Sequence, residues 1–151
     1  MHYKLFKLLI NFYPPYLFTG IKIKHISPNY RQIIVKMKLH WYNRNYVGTH
    51  FGGNLFSMTD PFLMIMLIHN LGKNYIVLDQ NSCIKFLKPG RGTVKAEFKI
   101  TEELLNEIKG NTKEGNKYLP QFETDITDEK GRVVAKVTKV IYIRMKNHSF
   151  A

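Results

Sequence analysis

The sequence predicts an α+β domain: one antiparallel sheet of five or six strands curled around a single long helix, with an extra helix at the N-terminus. Three observations lead there. Phe62-Leu63-Met64-Ile65-Met66-Leu67-Ile68 is apolar at every position, the composition of a helix enclosed on all sides. Ile21-Lys22-Ile23-Lys24 and Val35-Lys36-Met37-Lys38-Leu39-His40-Trp41 alternate with the period of half-buried strands. Paired glycines, Gly52 and Gly53, stand just ahead of the apolar helix, where they allow close backbone approach and leave amide hydrogens uncovered at a helix start.

Taken in order, Leu5, Leu8, Leu9 and Phe12 recur at helical spacing, so Tyr3–Tyr13 reads as a short amphipathic helix ended by Pro14-Pro15. Such a helix either packs on the body as a lid or contacts a membrane surface. The two alternating runs flank the turn Ser27-Pro28-Asn29 and form a hairpin. Ile21, Ile23, Val35, Met37, Leu39 and Trp41 are expected to face inward, and Lys22, Lys24, Lys36 and Lys38 to make a basic outer face. After a loop at Asn43–Thr49 the central helix is expected from about Phe51 to Leu71, stopping at Gly72. Strands follow at Ile76–Leu87, Thr93–Ile100, Gln121–Thr127 and Val133–Met145, with a short helix at Glu102–Ile108 and a loop at Lys109–Lys117. The whole is one domain over residues 1–151, with an N-terminal helical segment in 1–18 and the core in 19–146. A sheet with an open edge commonly pairs it with a second copy.

Composition narrows the function classes. With 44% hydrophobic and 13% aromatic residues, the 151-residue chain is neither disordered nor a disulfide scaffold. The single cysteine, Cys83, lies in an apolar run and reads as a buried structural thiol. The six histidines (His2, His25, His40, His50, His69, His148) show no metal-ligand spacing, so no metal site is expected. No stretch is long and apolar enough to span a bilayer, and the N-terminal segment lacks the features of a cleaved signal, which makes a soluble cytoplasmic protein the default. The net charge of +12 is unevenly spread: residues 1–59 carry eight Lys or Arg and no carboxylate. Such a field attracts nucleic acid, an acidic membrane or a phosphorylated small molecule. The first acid in the chain, Asp60, is set at the edge of the most hydrophobic segment, an unfavourable place for a charge unless it is paired or used.

The pattern Asn45-x-x-Gly48-x-x-Phe51-Gly52-Gly53, with Asp60 eight residues after Gly52, resembles the Asn-x-x-Gly-x-x-His-Gly-Gly…Asp motif of hotdog-fold thioesterases of the phenylacetyl-CoA thioesterase type. The order of elements fits from about Gly20 to Met145, and the stretch from Trp41 to Gly53 is more similar still to an uncharacterised bacterial branch of that superfamily. The resemblance implies a hotdog fold, a homodimer or tetramer, an acyl-CoA substrate and no cofactor beyond the coenzyme A of the substrate itself. It further implies that the Gly52 amide donates to the developing oxyanion and that Asp60, acting across the dimer interface, holds or deprotonates the water. Asn45 would orient the water or carbonyl. Asp79 falls where related enzymes carry a polar residue facing the pocket, and near Asp60 it would raise one pKa of the pair. His50, Phe51, Gly53 and Asn81 join the substrate-binding set.

Phe51 replaces the motif's histidine, and His50, one place earlier, is turned by about 100° on a helical start, so it need not replace that histidine and reads equally as a loop or N-cap residue. Asp60 also has a structural alternative, since Asp-Pro is a common N-cap pair and the helix could begin at Pro61. Lys88-Pro89-Gly90-Arg91-Gly92 is either a turn with solvated charges or the place where Lys88 and Arg91 meet coenzyme A phosphates. Two rival functions remain: a non-catalytic acyl-ligand binder on the same fold, and a basic nucleic-acid-binding module. The second lacks exposed aromatics interleaved with its basic strand face, and no nucleic-acid motif is present, so no nucleic-acid partner is expected.

Overall fold

The computed structural model describes residues 2–146; His148 and the rest of the C-terminal tail lie outside the described residues. Seven strands form one antiparallel sheet in the order β1 (Ile21–Ile26), β2 (Gln32–Lys38), β4 (Thr93–Lys99), β6 (Gln121–Thr127), β7 (Val133–Met145) and β3 (Tyr75–Phe86), with the short β5 (Lys117–Tyr118) also pairing with β7. The sheet wraps a central helical segment, and Phe62, Met66 and Leu67 of that segment are fully buried against Ile33, Val35, Phe98, Ile126 and Ile141. The fold is the expected α+β one, a hotdog sheet around a central helix with an added N-terminal helix.

The central helix is not continuous. α3 (Gly52–Ser57) ends at Met58, the chain turns through residues 58–61, and α4 (Phe62–Leu71) resumes after Pro61. Pro61 carries no amide hydrogen and cannot extend a helix already under way. Asp60 makes no side-chain cap on α4, so the N-cap alternative for its carboxylate does not hold. Nor is α4 enclosed on every side: Ile68 is exposed and Met64 and Ile65 are half-buried, because the sheet covers one side only.

Ile21, Ile23, Val35 and Met37 face inward as expected, and Lys22, Lys24, Lys36 and Lys38 are exposed. Leu39 and Trp41 depart from the alternation. β2 stops at Lys38 because the buried Asn43 side chain donates to Lys38 O (2.9 Å) and Thr19 O (2.9 Å) and accepts from His40 N (2.7 Å), which turns the chain outward and leaves Trp41 81% exposed. β3 departs too. Gln80 is an extra residue, for Asp79 pairs with Ile141 while Asn81 pairs with Val140. This bulge reverses the alternation, turning Ser82 and Ile84 inward and Cys83 outward, so the cysteine is exposed rather than a buried core thiol.

At the N-terminus α1 (Tyr3–Asn11) buries Phe6 against Tyr30, and Asn11 clamps the free edge of β1, accepting from Ile23 N (2.7 Å) and donating to Ile23 O (3.3 Å). A second short helix, α2 (Pro14–Leu17), follows and buries Tyr16. α5 (Glu102–Asn111) starts under a Thr101 cap and runs a turn further than expected, and a 3₁₀ turn at Lys113–Gly115 and β5 occupy part of the anticipated loop. With β1 covered by α1, β3 at the opposite end is the uncovered edge among the described strands.

Candidate active site

Asp60 and Asp79, drawn from the helical break and from β3, meet at one buried ammonium. Lys139 Nζ lies 2.7 Å from Asp60 Oδ1 and 2.7 Å from Asp79 Oδ2. Lys139 falls in the inward phase of β7, between Val137 and Ile141, and is 3% exposed. A lysine there must be paired, since an isolated buried charge would neutralise instead. Asp79 stands just before the Gln80 bulge, which aims Ser82 into the same pocket of about 340 Å³, lined also by Phe56, Ser57, Asp60 and Lys139. Asp60 is braced from the N-terminal segment: the Tyr16 hydroxyl donates to its carbonyl oxygen, and the Tyr16 ring stacks on Phe62 at 5.9 Å. Burial, reinforced by the Asp60 charge, raises the Tyr16 pKa and keeps the phenol a donor.

The two carboxyls titrate apart. Burial pushes Asp60 upward, but hydrogen bonding to Lys139 and the neighbouring Asp79 carboxyl outweighs it and holds Asp60 below the ordinary 3.8. For Asp79 burial prevails over Lys139, and the adjacent Asp60 charge adds to the rise. Asp79 therefore takes a proton first as pH falls, while Asp60 stays ionised. Asp79 Oδ1 is buried without a hydrogen-bond partner, an acceptor left open beside the pocket.

A second pocket, of about 550 Å³, is lined by Asn45, Thr49, His50, Gly52, Leu55, Phe86, Lys88 and Arg91, among others. Its floor is the loop that Asn43 fixes. Asn45 spends its side chain inside that loop, accepting from Thr49 N (3.0 Å) and donating to Thr49 Oγ1 (2.9 Å). His50 is buried beneath the 90–92 turn. Its Nε2 lies 3.0 Å from Gly92 O, and a carbonyl can only accept, so Nε2 carries the hydrogen. Desolvation lowers the His50 pKa and keeps the ring neutral, leaving Nδ1 as a buried acceptor without a partner. Gly52 opens α3, with Phe51 as N-cap. A Cβ on Gly52 would stand 2.8 Å from the Phe86 ring, and one on Gly53 would stand 2.6 Å from the Phe51 ring, so both glycines lie under aromatic cover. Arg91 reaches Gly48 O (3.3 Å), and Lys88 is exposed at the rim.

The residues singled out from sequence thus fall into two groups. Asp60 and Asp79 share one pocket; Gly52, Asn45, His50, Lys88 and Arg91 share the other, with Phe51 and Gly53 at its border. Asn81 lines neither; the bulge leaves it exposed and puts Ser82 in its place. Sequence reasoning missed Lys139, although its position in phase with Ala135, Val137 and Ile141 marks it, and it missed Asn43 and Tyr16, which carry no such signal. Among the described residues no cluster of three or more His, Cys, Asp or Glu could hold a metal.

A curled antiparallel sheet around a broken helix, with a glycine pair opening that helix and an acid at its break, defines a hotdog-fold protein. The chain belongs to the DUF4442 family, a domain of unknown function, which matches residues 3–143. No curated protein matches it. Among solved structures it is similar to a Pseudomonas aeruginosa protein of unknown function named a "probable thioesterase", at 19% identity over 96% of this chain and 97% of that one, with a TM-score of 0.82. A thioesterase from Haemophilus influenzae is 13% identical over 95% and 91% of the two chains, with a TM-score of 0.67. A hypothetical thioesterase from Streptococcus pneumoniae, crystallised with coenzyme A, is 20% identical over 86% and 90%, with a TM-score of 0.59.

Replacing Lys139 tests the ion-pair cluster. Lys139→Met leaves two carboxyls facing each other without a cation, so both bind protons more tightly folded than unfolded. Stability at pH 7.5 should fall on the order of 2 kcal/mol, less than for a fully buried pair because the Asp60 side chain is 58% exposed. The deficit should shrink as pH drops toward the carboxylate range, read from urea midpoints at pH 7.5 and 5. A deficit independent of pH would mean that Lys139 acts through packing alone.

Proposed function

We propose that this protein is an acyl-CoA thioesterase that hydrolyses its substrate with water held at Asp60. The observation that carries this reading is the Asp60–Lys139–Asp79 cluster: a carboxylate kept ionised at a helical break, fixed by a buried ammonium and open to a pocket. Asp60 accepts a hydrogen bond from water and takes its proton as the oxygen adds to the thioester carbonyl. The Gly52 amide, first in α3 and without an acceptor inside that helix, donates to the oxyanion. Collapse breaks the C–S bond, and the proton passes from Asp60 to the departing thiolate. Lys88 and Arg91, at the rim of the larger pocket, meet the phosphates of coenzyme A. The coenzyme A complex of the Streptococcus pneumoniae neighbour supports that choice of ligand.

Gly52 and Asp60 line different pockets of one chain, so the mechanism requires a second copy. The uncovered β3 edge, with Ile76, Leu78 and Phe86 exposed, is the surface through which we infer that two chains pair. A rival reading, an acyl-CoA binder without turnover, is favoured by one observation: Phe51 stands where the motif of the phenylacetyl-CoA thioesterase type has histidine, with its ring over Gly53.

Three measurements check these inferences. Light scattering at micromolar concentration should give at least twice the chain mass; a monomer would abolish the composite site. Asp60→Asn should lower turnover on a responsive acyl-CoA by ~10² or more while binding survives. Hydrolysis undiminished by the amide would remove Asp60 as the base, and no hydrolysis of any acyl-CoA by the unaltered chain, with binding intact, would establish the binder instead. Lys88→Ala with Arg91→Ala should weaken coenzyme A binding and flatten its salt dependence with little change in stability, since exposed charges contribute little to folding. Unchanged affinity would make the turn merely solvated.

A further inference from the structure

The N-terminal helix has more apolar surface than the body can cover. At about 100° per residue, Tyr3, Phe6 and Ile10 fall on one side of α1, Lys7 and Asn11 on the next, and Leu5, Leu8, Leu9 and Phe12 on the third. The first side is occupied by the core, where Phe6 packs on Tyr30. The second is occupied by β1: Lys7 Nζ donates to Lys24 O (2.7 Å) and Asn11 holds the Ile23 backbone. The third is open. Leu5, Leu8, Leu9 and Phe12 are 49–65% exposed, and Tyr13, Leu17 and Phe18 continue the exposed apolar run past the helix end. An amphipathic helix that only closed the core would show solvent the polar side that α1 instead turns to β1.

Charge selects the occupant. No carboxylate lies in residues 1–59, Lys4 borders the open stripe on its β1 side, and Lys22, Lys24, Lys36 and Lys38 stand exposed on the adjoining outer sheet face, with Lys22 directly opposite Lys36. A second copy seated on the stripe would set these like charges together, whereas an anionic lipid surface neutralises them while its acyl region takes the leucines. Aromatic residues at the helix end, Phe12, Tyr13 and Phe18, suit the boundary between headgroups and acyl chains. Position agrees as well. β1 and β3 are the two ends of a six-strand path, ~24 Å apart at the usual strand spacing, so pairing through β3 leaves the stripe uncovered. No helix among the described residues is long and apolar enough to cross a membrane, so contact would be in the interface plane.

We propose that the outward face of α1, extended by Tyr13, Leu17 and Phe18 and bordered by lysines, seats the protein peripherally on an anionic lipid surface. This does not rest on the hydrolytic reading. The full chain should cosediment with vesicles containing phosphatidylglycerol, bind vesicles of phosphatidylcholine alone more weakly, and lose binding as salt rises from ~0.1 to ~0.5 M. Leu8→Glu with Phe12→Glu should cut partitioning ~10-fold or more, with the unfolding temperature and the light-scattering mass unchanged. Leu5→Gln with Leu9→Gln, milder replacements on the same stripe, carries the same expectation should the glutamates impair folding. Absence of vesicle binding by the unaltered chain, or equal binding by the folded variants, would overturn the proposal. So would a variant that breaks a larger assembly into smaller ones, which would assign the stripe to a second copy.

Discussion

A lysine inside the core is the constraint around which the site is built. Lys139 occupies an inward position of β7 that every other residue in phase fills with an apolar side chain. Its charge has to be met within hydrogen-bonding reach, or the group would be expelled or neutralised. Two local irregularities meet it. The helix stops at Ser57, so that Asp60 is carried on a turn beside the sheet, and β3 gains Gln80, so that Asp79 and Ser82 face the same pocket. Either feature alone would weaken the element that contains it. Together they deliver two carboxylates to one ammonium, each at 2.7 Å. Tyr16 then ties the break to the N-terminal segment through the Asp60 carbonyl, so the catalytic candidate is held from both ends of its own residue.

Much of this was legible in the sequence wherever periodicity governed. The strands at Gln121–Thr127 and Val133–Met145 lie where the alternation placed them, and the apolar run at Phe62–Ile68 is the helix the sheet wraps. Legibility failed where one residue resets a period. Gln80 looks like any strand residue, yet by bulging it sends Asn81 and Cys83 outward and brings Ser82 in. Trp41 continues the alternation of β2 on paper. Asn43, a side chain with no periodic signature, turns the strand away before Trp41 can be buried. The break after Ser57 was readable as a conflict between an apolar helix and Pro61. Its outcome was not, because the helix could have kinked through the proline or begun at it.

The candidate site was legible in its parts and not in its joining. Sequence spacing located Gly52 and Asp60, but spacing along a chain says nothing of the cation between Asp60 and Asp79, which arrives from a strand 60 residues beyond Asp79. That cation alters the chemistry. Two bare aspartates would share a proton and leave one a strong base near neutrality. Lys139 draws both carboxyls down: Asp60 ends below its ordinary value, while for Asp79 burial and the Asp60 charge still outweigh the cation. Asp60 is then ionised at any ordinary pH, at the expense of basicity. A weaker base removes a proton less readily, so in the hydrolytic reading its contribution shifts toward holding water against the carbonyl, and more of the work falls to the oxyanion donor.

The charge distribution follows from the same economy of acids. With no carboxylate before Asp60, the hairpin, the N-terminal helices and Arg44 share one basic field, and the first acid in the chain is already committed to Lys139. Acids from later in the chain meet part of this field, Glu102 pairing with Arg31 and Asp128 and Glu129 lining a pocket with Lys36. Polyanions are drawn to it whether they are soluble thioesters or lipid headgroups. The two proposed contacts fall on different surfaces. Lys88 and Arg91 border a concave pocket, where a phosphate can be gripped by convergent donors. The strand lysines Lys22, Lys24, Lys36 and Lys38 line a cavity of about 370 Å³ on the outer sheet face beside an exposed leucine stripe, and an extended charged plane with an apolar interior can meet lysines and leucines together.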